Sequence, residues 1–328
     1  MSEGLTLQRV SVTDAYASPA ARAELDAEIS ELTLLAEQHG GQAAGPALDF
    51  SNPAVARLFD PGRRPALTHW RRHHVPTAAA LVPLQRPDRR MLADGTPFSA
   101  HDDDWYRHSL DAIGIRSRAA IMGNVLERSV AVSGKRTHRW LSLACGASIP
   151  VFEAAQSLRA DGHVIEITLA DFDGKALELA RELAAEYALA DCVELMRMNV
   201  LNAERLAEFA AGAYEVIDIL GLFEYLPDAD RRTERRVTLG AAGLLRAARR
   251  LLAPGGTLVF ANMLDSHPQL AFTLNVIQWP YLTPRSAEQV AALMRAAGLP
   301  ADESSAFVAE DGVYAVYVST RHSTREEL

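Results

Sequence analysis

The rhythm of hydrophobic and polar positions changes once along the chain, near residue 138. Before that point apolar residues recur at helical intervals. Between 18 and 38, Leu25, Ile29, Leu32 and Leu35 share one face of a helix that opens at Ser18-Pro19 and stops at Gly40-Gly41. Asn52-Pro53 opens a second, short helix, and Asp60-Pro61-Gly62 closes it. The acidic run Asp102-Asp103-Asp104 suits a helix N-terminus, and Ile121, Met122, Val125 and Leu126 carry a helix on towards residue 130. With almost no strand signal in this half, residues 1–130 are expected to form a helical cap or lid.

After residue 138, short apolar runs alternate with longer helical patterns. Strands are expected at 140–144, 164–170, 193–196, 216–220 and 257–261, and helices at 150–159, 175–187, 203–209, 233–252 and 286–297. Two further strands, 306–310 and 313–320, flank the hairpin signal Asp311-Gly312. Alternation of this kind implies βαβ units. The expected fold class is therefore α/β: a seven-stranded, mostly parallel sheet with an antiparallel C-terminal hairpin over 131–328, plus the N-terminal cap.

The first of these strands ends in Cys145-Gly146-Ala147-Ser148, and Pro150 suits the first turn of the helix that follows. Small residues between a strand and a helix let backbone approach a ligand, and the N–H groups of the helix start attract anionic groups. The next strand ends on Asp171, some twenty-five residues past the turn, where an acid can accept hydrogen bonds from ribose hydroxyls. Asp171 could instead cap the following helix, although Asp173 can fill that role separately. Asn199, beside Val200, follows the third strand, where a side-chain amide can read an adenine amino group or simply serve a turn. Gly221 to Pro227 leaves the fourth strand at the carboxyl edge, where open α/β sheets bind ligands.

Charge and composition remove several classes. A formal net charge of -9 lacks the basic face that nucleic-acid binding needs. Two cysteines, Cys145 and Cys192, provide neither a disulfide framework nor a cysteine metal site. His73 and His74 have no third ligand at suitable spacing, so no metal is expected. No apolar run reaches the ~18 residues of a membrane span, and the start of the sequence lacks an export signal, so a cytoplasmic protein is expected.

The series of motifs resembles the class I S-adenosylmethionine-dependent methyltransferases. Residues 143–148 look like their glycine-rich motif, Asp171 matches their ribose acid, 214–226 their fourth-strand motif and 252–256 their turn into strand five. Two positions depart from the pattern: Ser148 stands at the second glycine, and Asn199 stands where that family usually has Asp. Residues 221–226 and 260–263 are also similar to a bacterial subgroup that includes fatty-acid methyl-ester-forming methyltransferases.

The resemblance implies a Rossmann-like fold with S-adenosyl-L-methionine as cofactor. It would be held by Ala144, Cys145, Gly146, Ser148, Asp171, Phe172, Asn199, Val200, Gly221 and Leu222, with Arg116 on its carboxylate. Glu224, Tyr225 and Tyr106 are the candidate catalytic groups, and His108, Phe223, Trp279 and Tyr281 the candidate substrate contacts, with Arg285 expected to line the substrate side beside the last two. The implied reaction is in-line methyl transfer to oxygen, nitrogen or carbon of a small molecule. The alternative is transfer or cyclisation of the aminocarboxypropyl arm, as in azetidine-2-carboxylate formation, which releases methylthioadenosine. A binding protein that kept the fold without turnover is a third reading. The sequence does not identify the acceptor, the base or the oligomeric state.

Overall fold

The computed structural model describes residues 5–38, 53–233 and 236–322. Ten strands are present among them: β1 (Leu7–Val10), β2 (Thr137–Leu143), β3 (Val164–Asp171), β4 (Val193–Arg197), β5 (Tyr214–Ile219), β6 (Arg231–Arg232), β7 (Val237–Thr238), β8 (Leu252–Met263), β9 (Ser304–Ala309) and β10 (Tyr314–Thr320). Eight of them form one sheet in the order β1-β9-β10-β8-β5-β2-β3-β4. Within that sheet only β10 runs against its neighbours. The mixed α/β class, the parallel centre and the antiparallel C-terminal strand are as the sequence indicates.

Three local departures have physical causes. The sheet gains an eighth strand, β1, from the half read as helical; it is four residues long, sits on the edge and exposes Gln8 and Arg9. Short edge strands with outward polar residues carry little alternation. The helix expected over 233–252 is α10 (Ala241–Leu251), preceded by the β6–β7 ribbon. Asp230 Oδ1 accepts the Gly240 N–H at 2.9 Å, and a Cβ on Gly240 would lie 2.4 Å from Ala229 O. Position 240 therefore takes only glycine, and its extended backbone (φ -89°, ψ -171°) makes it the cap from which the helix starts. Finally, the turn at 253–256 lies inside β8 as a register shift against β5 rather than before it.

The remaining helices are α1 (Pro19–Gln38), α2 (Pro53–Leu58), α3 (Pro65–His73), α4 (Ala78–Gln85), α5 (Ala100–His108), α6 (Leu110–Ser133), α7 (Ile149–Ala160), α8 (Gly174–Glu186), α9 (Ala203–Ala207), α11 (Leu270–Phe272, continued by a π turn over Thr273–Ile277) and α12 (Ala287–Ala296). Helix α6 packs on α7 and across β8, β9 and β10. One apolar cluster joins α6 and α7 to the sheet through Met122, Phe152, Trp140 and Val259. A second joins α10 and α12 to it through Leu244, Val290, Ile217 and Phe260. A third holds the N-terminal helices together through Leu25, Trp70, Trp105 and Tyr106 and reaches Met263, Val313 and Tyr314 at the strand ends.

Candidate functional site

The turn after β2 is built tightly. Ala144, Gly146 and Ser148 all have positive φ, at 55°, 55° and 58°. Glycine accepts that conformation at little cost, whereas Ala144 and Ser148 hold it as strain of the kind found at functional sites. Ser148 precedes α7, and its hydroxyl and N–H both donate to Cys145 O, at 3.2 and 3.0 Å. Burial pushes the Cys145 thiol up to about 12, so it stays a neutral lining group.

Asp171, at the end of β3, faces this turn. Its Oδ2 accepts the Gly146 N–H at 3.0 Å and its Oδ1 the Asp173 N–H at 2.9 Å. The helix-cap role belongs to Asp173, whose carboxylate accepts from Lys175 N at 2.9 Å. Asp171 is thus oriented by backbone, with carboxylate lone pairs left for a ligand. Asn199 Oδ1 accepts the Leu201 N–H at 2.9 Å, which is the turn role, and the residue also lines the cleft.

These residues form one side of a cleft of about 470 Å³ across the carboxyl edge of the sheet. Phe172, Val200, Leu222 and Asp218 line it too, and the opposite wall comes from Pro76, Thr77, Ala78, Leu81 and Gln85 on and before α4. At Gly146 the walls nearly meet: a Cβ there would stand 3.6 Å from Ala78 Cβ. Trp279 and Tyr281 line it as well, Tyr281 being 83% exposed.

Adjoining the cleft is a smaller, partly open chamber of about 30 Å³. Leu81, Arg118, Gly221, Tyr225 and Trp279 border both spaces, and Trp70, Trp105, Tyr314 and Glu224 wall the chamber beyond them. Arg118 Nη1 donates to Glu224 Oε1 at 3.3 Å, and its guanidinium lies 4.3 Å from the Tyr314 ring centre. Burial raises the Glu224 carboxyl above the usual range, with Arg118 pulling the other way. Its Oε2 has no hydrogen-bond partner among the described residues. Tyr225 accepts a hydrogen bond from Trp279 Nε1 at 2.6 Å, and burial raises its phenol well above the ordinary value, so it stays protonated. Arg285 holds the chain around this chamber from behind, donating to Phe223 O, Leu226 O, Asn262 Oδ1 and Asp228 Oδ1.

Five of the residues singled out from the sequence, Arg285 just described among them, do not reach either space. Arg116 donates to Asp14 Oδ2 at 2.7 Å and to the carbonyls of Leu84, Tyr106 and Arg107. Two positions along an α-helix turn about 200° around its axis, so Arg118 faces the cleft where Arg116 cannot. Tyr106 is fully buried and stacked on Phe98 with centroids 4.5 Å apart. His108 is tied by Nδ1 to Asp104 Oδ1 at 2.9 Å within its own helix. Phe223 packs on Phe260, with centroids 4.7 Å apart, as part of the core. Conversely, sequence reasoning missed Arg118 and Asp218. Asp218 left a signal, an acid between two isoleucines in the inner half of a strand; Arg118 left none, because the 112–118 stretch of α6 is buried on every side and has no polar face to read.

A strained glycine turn feeding a helix, an acid ending the next strand and a cleft across the carboxyl edge define the class: a Rossmann-like α/β protein of the class I methyltransferase type. Residues 94–321 match a family model described as "Putative methyltransferase", and the chain belongs to that family. The enzyme is an S-adenosylmethionine-dependent transferase of that type. No curated protein matches the sequence. Among solved structures, a possible exported protein from Bordetella parapertussis is 18% identical, with a TM-score of 0.61 over 93% of this chain and 99% of its own. The CurJ carbon methyltransferase is 14% identical, with a TM-score of 0.53 over 93% and 94%. An O-methyltransferase family protein from Burkholderia thailandensis is 19% identical, with a TM-score of 0.47 over 74% and 64%. At these identities the likeness is one of fold. No helix among the described residues is long and apolar enough to cross a membrane.

Proposed function

We propose that the protein transfers a methyl group to oxygen, nitrogen or activated carbon of a small molecule, in the cytoplasm, with the N-terminal helices between β1 and α6 acting as a lid over the sheet's carboxyl edge. The bound cofactor supplies a sulfonium whose methyl carbon is electrophilic. The residues present fit it. Asp171 offers two carboxylate oxygens to ribose hydroxyls, and the Gly146 turn with Ser148 leaves room for backbone contact where a side chain would meet Ala78. Asn199 and Val200 border the adenine end, and Gly221 and Leu222 the methionine end, as lining residues of one cleft. The net charge of -9 weighs against a nucleic-acid substrate.

The observation that carries this reading is the shared border. Cleft and chamber meet at Leu81, Arg118, Gly221, Tyr225 and Trp279, so an acceptor lying in the cleft against those residues faces the cofactor turn, while the chamber of about 30 Å³ takes no more than a small group of it. Glu224 stands on that border's inner side as the group able to accept a proton, and Trp279 and Tyr225 shape the apolar wall. Positioning is the larger part of the task, since in-line displacement needs reacting atoms held near contact distance.

The reading is tested by product analysis. Incubation with the cofactor and candidate acceptors is expected to release S-adenosylhomocysteine; methylthioadenosine in its place would mean aminocarboxypropyl chemistry and overturn methyl transfer. Asp171→Ala removes charge-assisted hydrogen bonds of about 1.5–3 kcal/mol. Calorimetry should therefore show cofactor binding weakened by about 10- to 100-fold, and parent-like affinity in that variant would remove Asp171 from the site.

A further inference from the structure

Outside the cleft, the end of α3 and a tight turn bring three ligand atoms together. His69 lies in the middle of the helix and His74 is its C-terminal cap, a little over one turn on. Asp94 lies in a turn bracketed by the Met91–Pro97 bridge, with Leu92 N–H bonded to Thr96 O at 2.9 Å. His69 Nε2 stands 2.8 Å and His74 Nε2 3.1 Å from the same oxygen, Asp94 Oδ2, and the three atoms all lie within 4.8 Å of one another. The sequence reading found no third ligand for His74 because Asp94 is twenty residues on and only the 91–97 turn brings it back.

Hydrogen bonding alone accounts for part of this cluster. Two imidazoles can each donate to a carboxylate oxygen, but partly exposed pairs of that kind contribute only about 0–1 kcal/mol. Two features go further. The second carboxylate oxygen, Oδ1, accepts the Thr96 N–H at 3.0 Å, which fixes the carboxylate so that Oδ2 points at both rings. Such orientation by an outer partner is what metal-ligating groups usually have. The cluster also has a way in: the side chains of His69 and Asp94 are 38% exposed, while His74 is 12% exposed and forms the back of the site.

We propose that His69, His74 and Asp94 bind a divalent first-row transition-metal ion of the zinc type, with the remaining coordination position open to solvent. Two imidazole nitrogens and one carboxylate oxygen are a donor set suited to such ions. At metal–ligand distances of about 2.0–2.2 Å the ligand atoms of a tetrahedral site stand about 3.3 Å apart. The two distances to Asp94 Oδ2 fall a few tenths of an ångström short of that, which small rotations of exposed side chains supply. The ion would pin the end of α3 to the 91–97 turn. From His74 the tie continues to the cleft, because its carbonyl accepts both the N–H and the hydroxyl of Thr77, at 2.6 and 2.7 Å, and Thr77 lines the cleft wall. The site is independent of which group the enzyme transfers.

The test uses untagged full-length protein stripped with a chelator and titrated at neutral pH with Co²⁺ and then Zn²⁺. About one equivalent of Co²⁺ should give the visible absorption of a low-coordinate nitrogen–oxygen site, and Zn²⁺ should bleach it. His74→Ala and Asp94→Asn should each weaken Zn²⁺ binding at least as much as loss of an outer-shell partner does, about 10- to 100-fold. His322→Ala, remote on the C-terminal segment, should leave it unchanged. Metal should also raise the melting temperature of the parent and not that of the two ligand variants. Absence of a Co²⁺ spectrum and of Zn²⁺ heat in the parent would overturn the site without any variant. Undiminished binding in both ligand variants would overturn it as well, by placing the ion elsewhere.

Discussion

Replacing Glu224 by Gln is expected to lower kcat by about 10²- to 10⁴-fold, the usual worth of a positioned proton acceptor, while cofactor affinity changes by no more than about twofold. The side chain is 3% exposed, lies 3.3 Å from Arg118 Nη1 and keeps Oε2 without a partner. Gln keeps the volume and can still accept from Arg118, so it removes chiefly the ability to take a proton. Burial raises the carboxyl, so activity that depends on the ionised form should rise with pH and level off above the raised value. The rival role is purely structural, an anion that neutralises a buried Arg118. Removing one partner of a buried pair costs about 3–5 kcal/mol, so that role predicts a fall in melting temperature with kcat per folded molecule unchanged. Steady-state kinetics on an accepted substrate, beside thermal melts, separate the two. An unchanged kcat would leave methyl transfer standing with positioning as its main device.

The parts of the fold that were legible are those in which one local pattern dictates one outcome. Short, mainly apolar runs such as 140–144 and 216–220, bounded by turn residues and too short for helices, read as covered strands, and Asp311-Gly312 marks its hairpin, with Gly312 at φ 69°. The glycine turn and Asp171 were legible for the same reason, since strand ends place them at one edge whatever the cap does. What escaped is tertiary. The β1 strand depends on β9 to exist, and its four residues carry no alternation of their own. Arg116 and Arg118 are two apart on the 112–118 stretch of α6, which is buried on every side, so no polar face tells which one looks into the cleft. Tyr106 and His108 sit in the cap near aromatic and acidic neighbours, yet the packing of Phe98 and Asp104 turns both away from the cavities. The chamber walled by Trp70, Trp105 and Trp279 draws on segments two hundred residues apart. No spacing rule joins those.

Asp218→Asn is expected to abolish a loss of stability that the parent suffers between about pH 4 and pH 7. Asp218 is 2% exposed on the floor of the cleft, accepting from Trp140 Nε1 at 2.7 Å and Ser142 Oγ at 3.0 Å. Burial pushes its carboxyl up to about 7 from an ordinary 3.8, and these hydrogen bonds only partly offset that. Below about pH 4 both the folded and the unfolded chain hold the proton, and the group costs nothing. Between the two values the unfolded chain gives it up first, so it binds fewer protons and stability falls as pH rises. Above about 7 the full difference applies, about three in pKa or about 4 kcal/mol. Asn keeps an acceptor for Trp140 and presents its amide to the Ser142 hydroxyl, which can rotate to accept. The variant should therefore match the parent near pH 4 and exceed its stability at pH 8 by up to about 4 kcal/mol. Denaturant midpoints of both proteins at the two pH values measure this directly, and parallel losses in parent and variant would show that Asp218 ionises freely in the folded state. An acid kept at such cost in a cleft wall fits a ligand-facing group better than a packing one, because perturbed titratable groups gather at functional sites. A cation bound in the cleft favours the ionised form, so the parent's cofactor affinity should rise between pH 6 and 8 while that of the Asn variant stays flat.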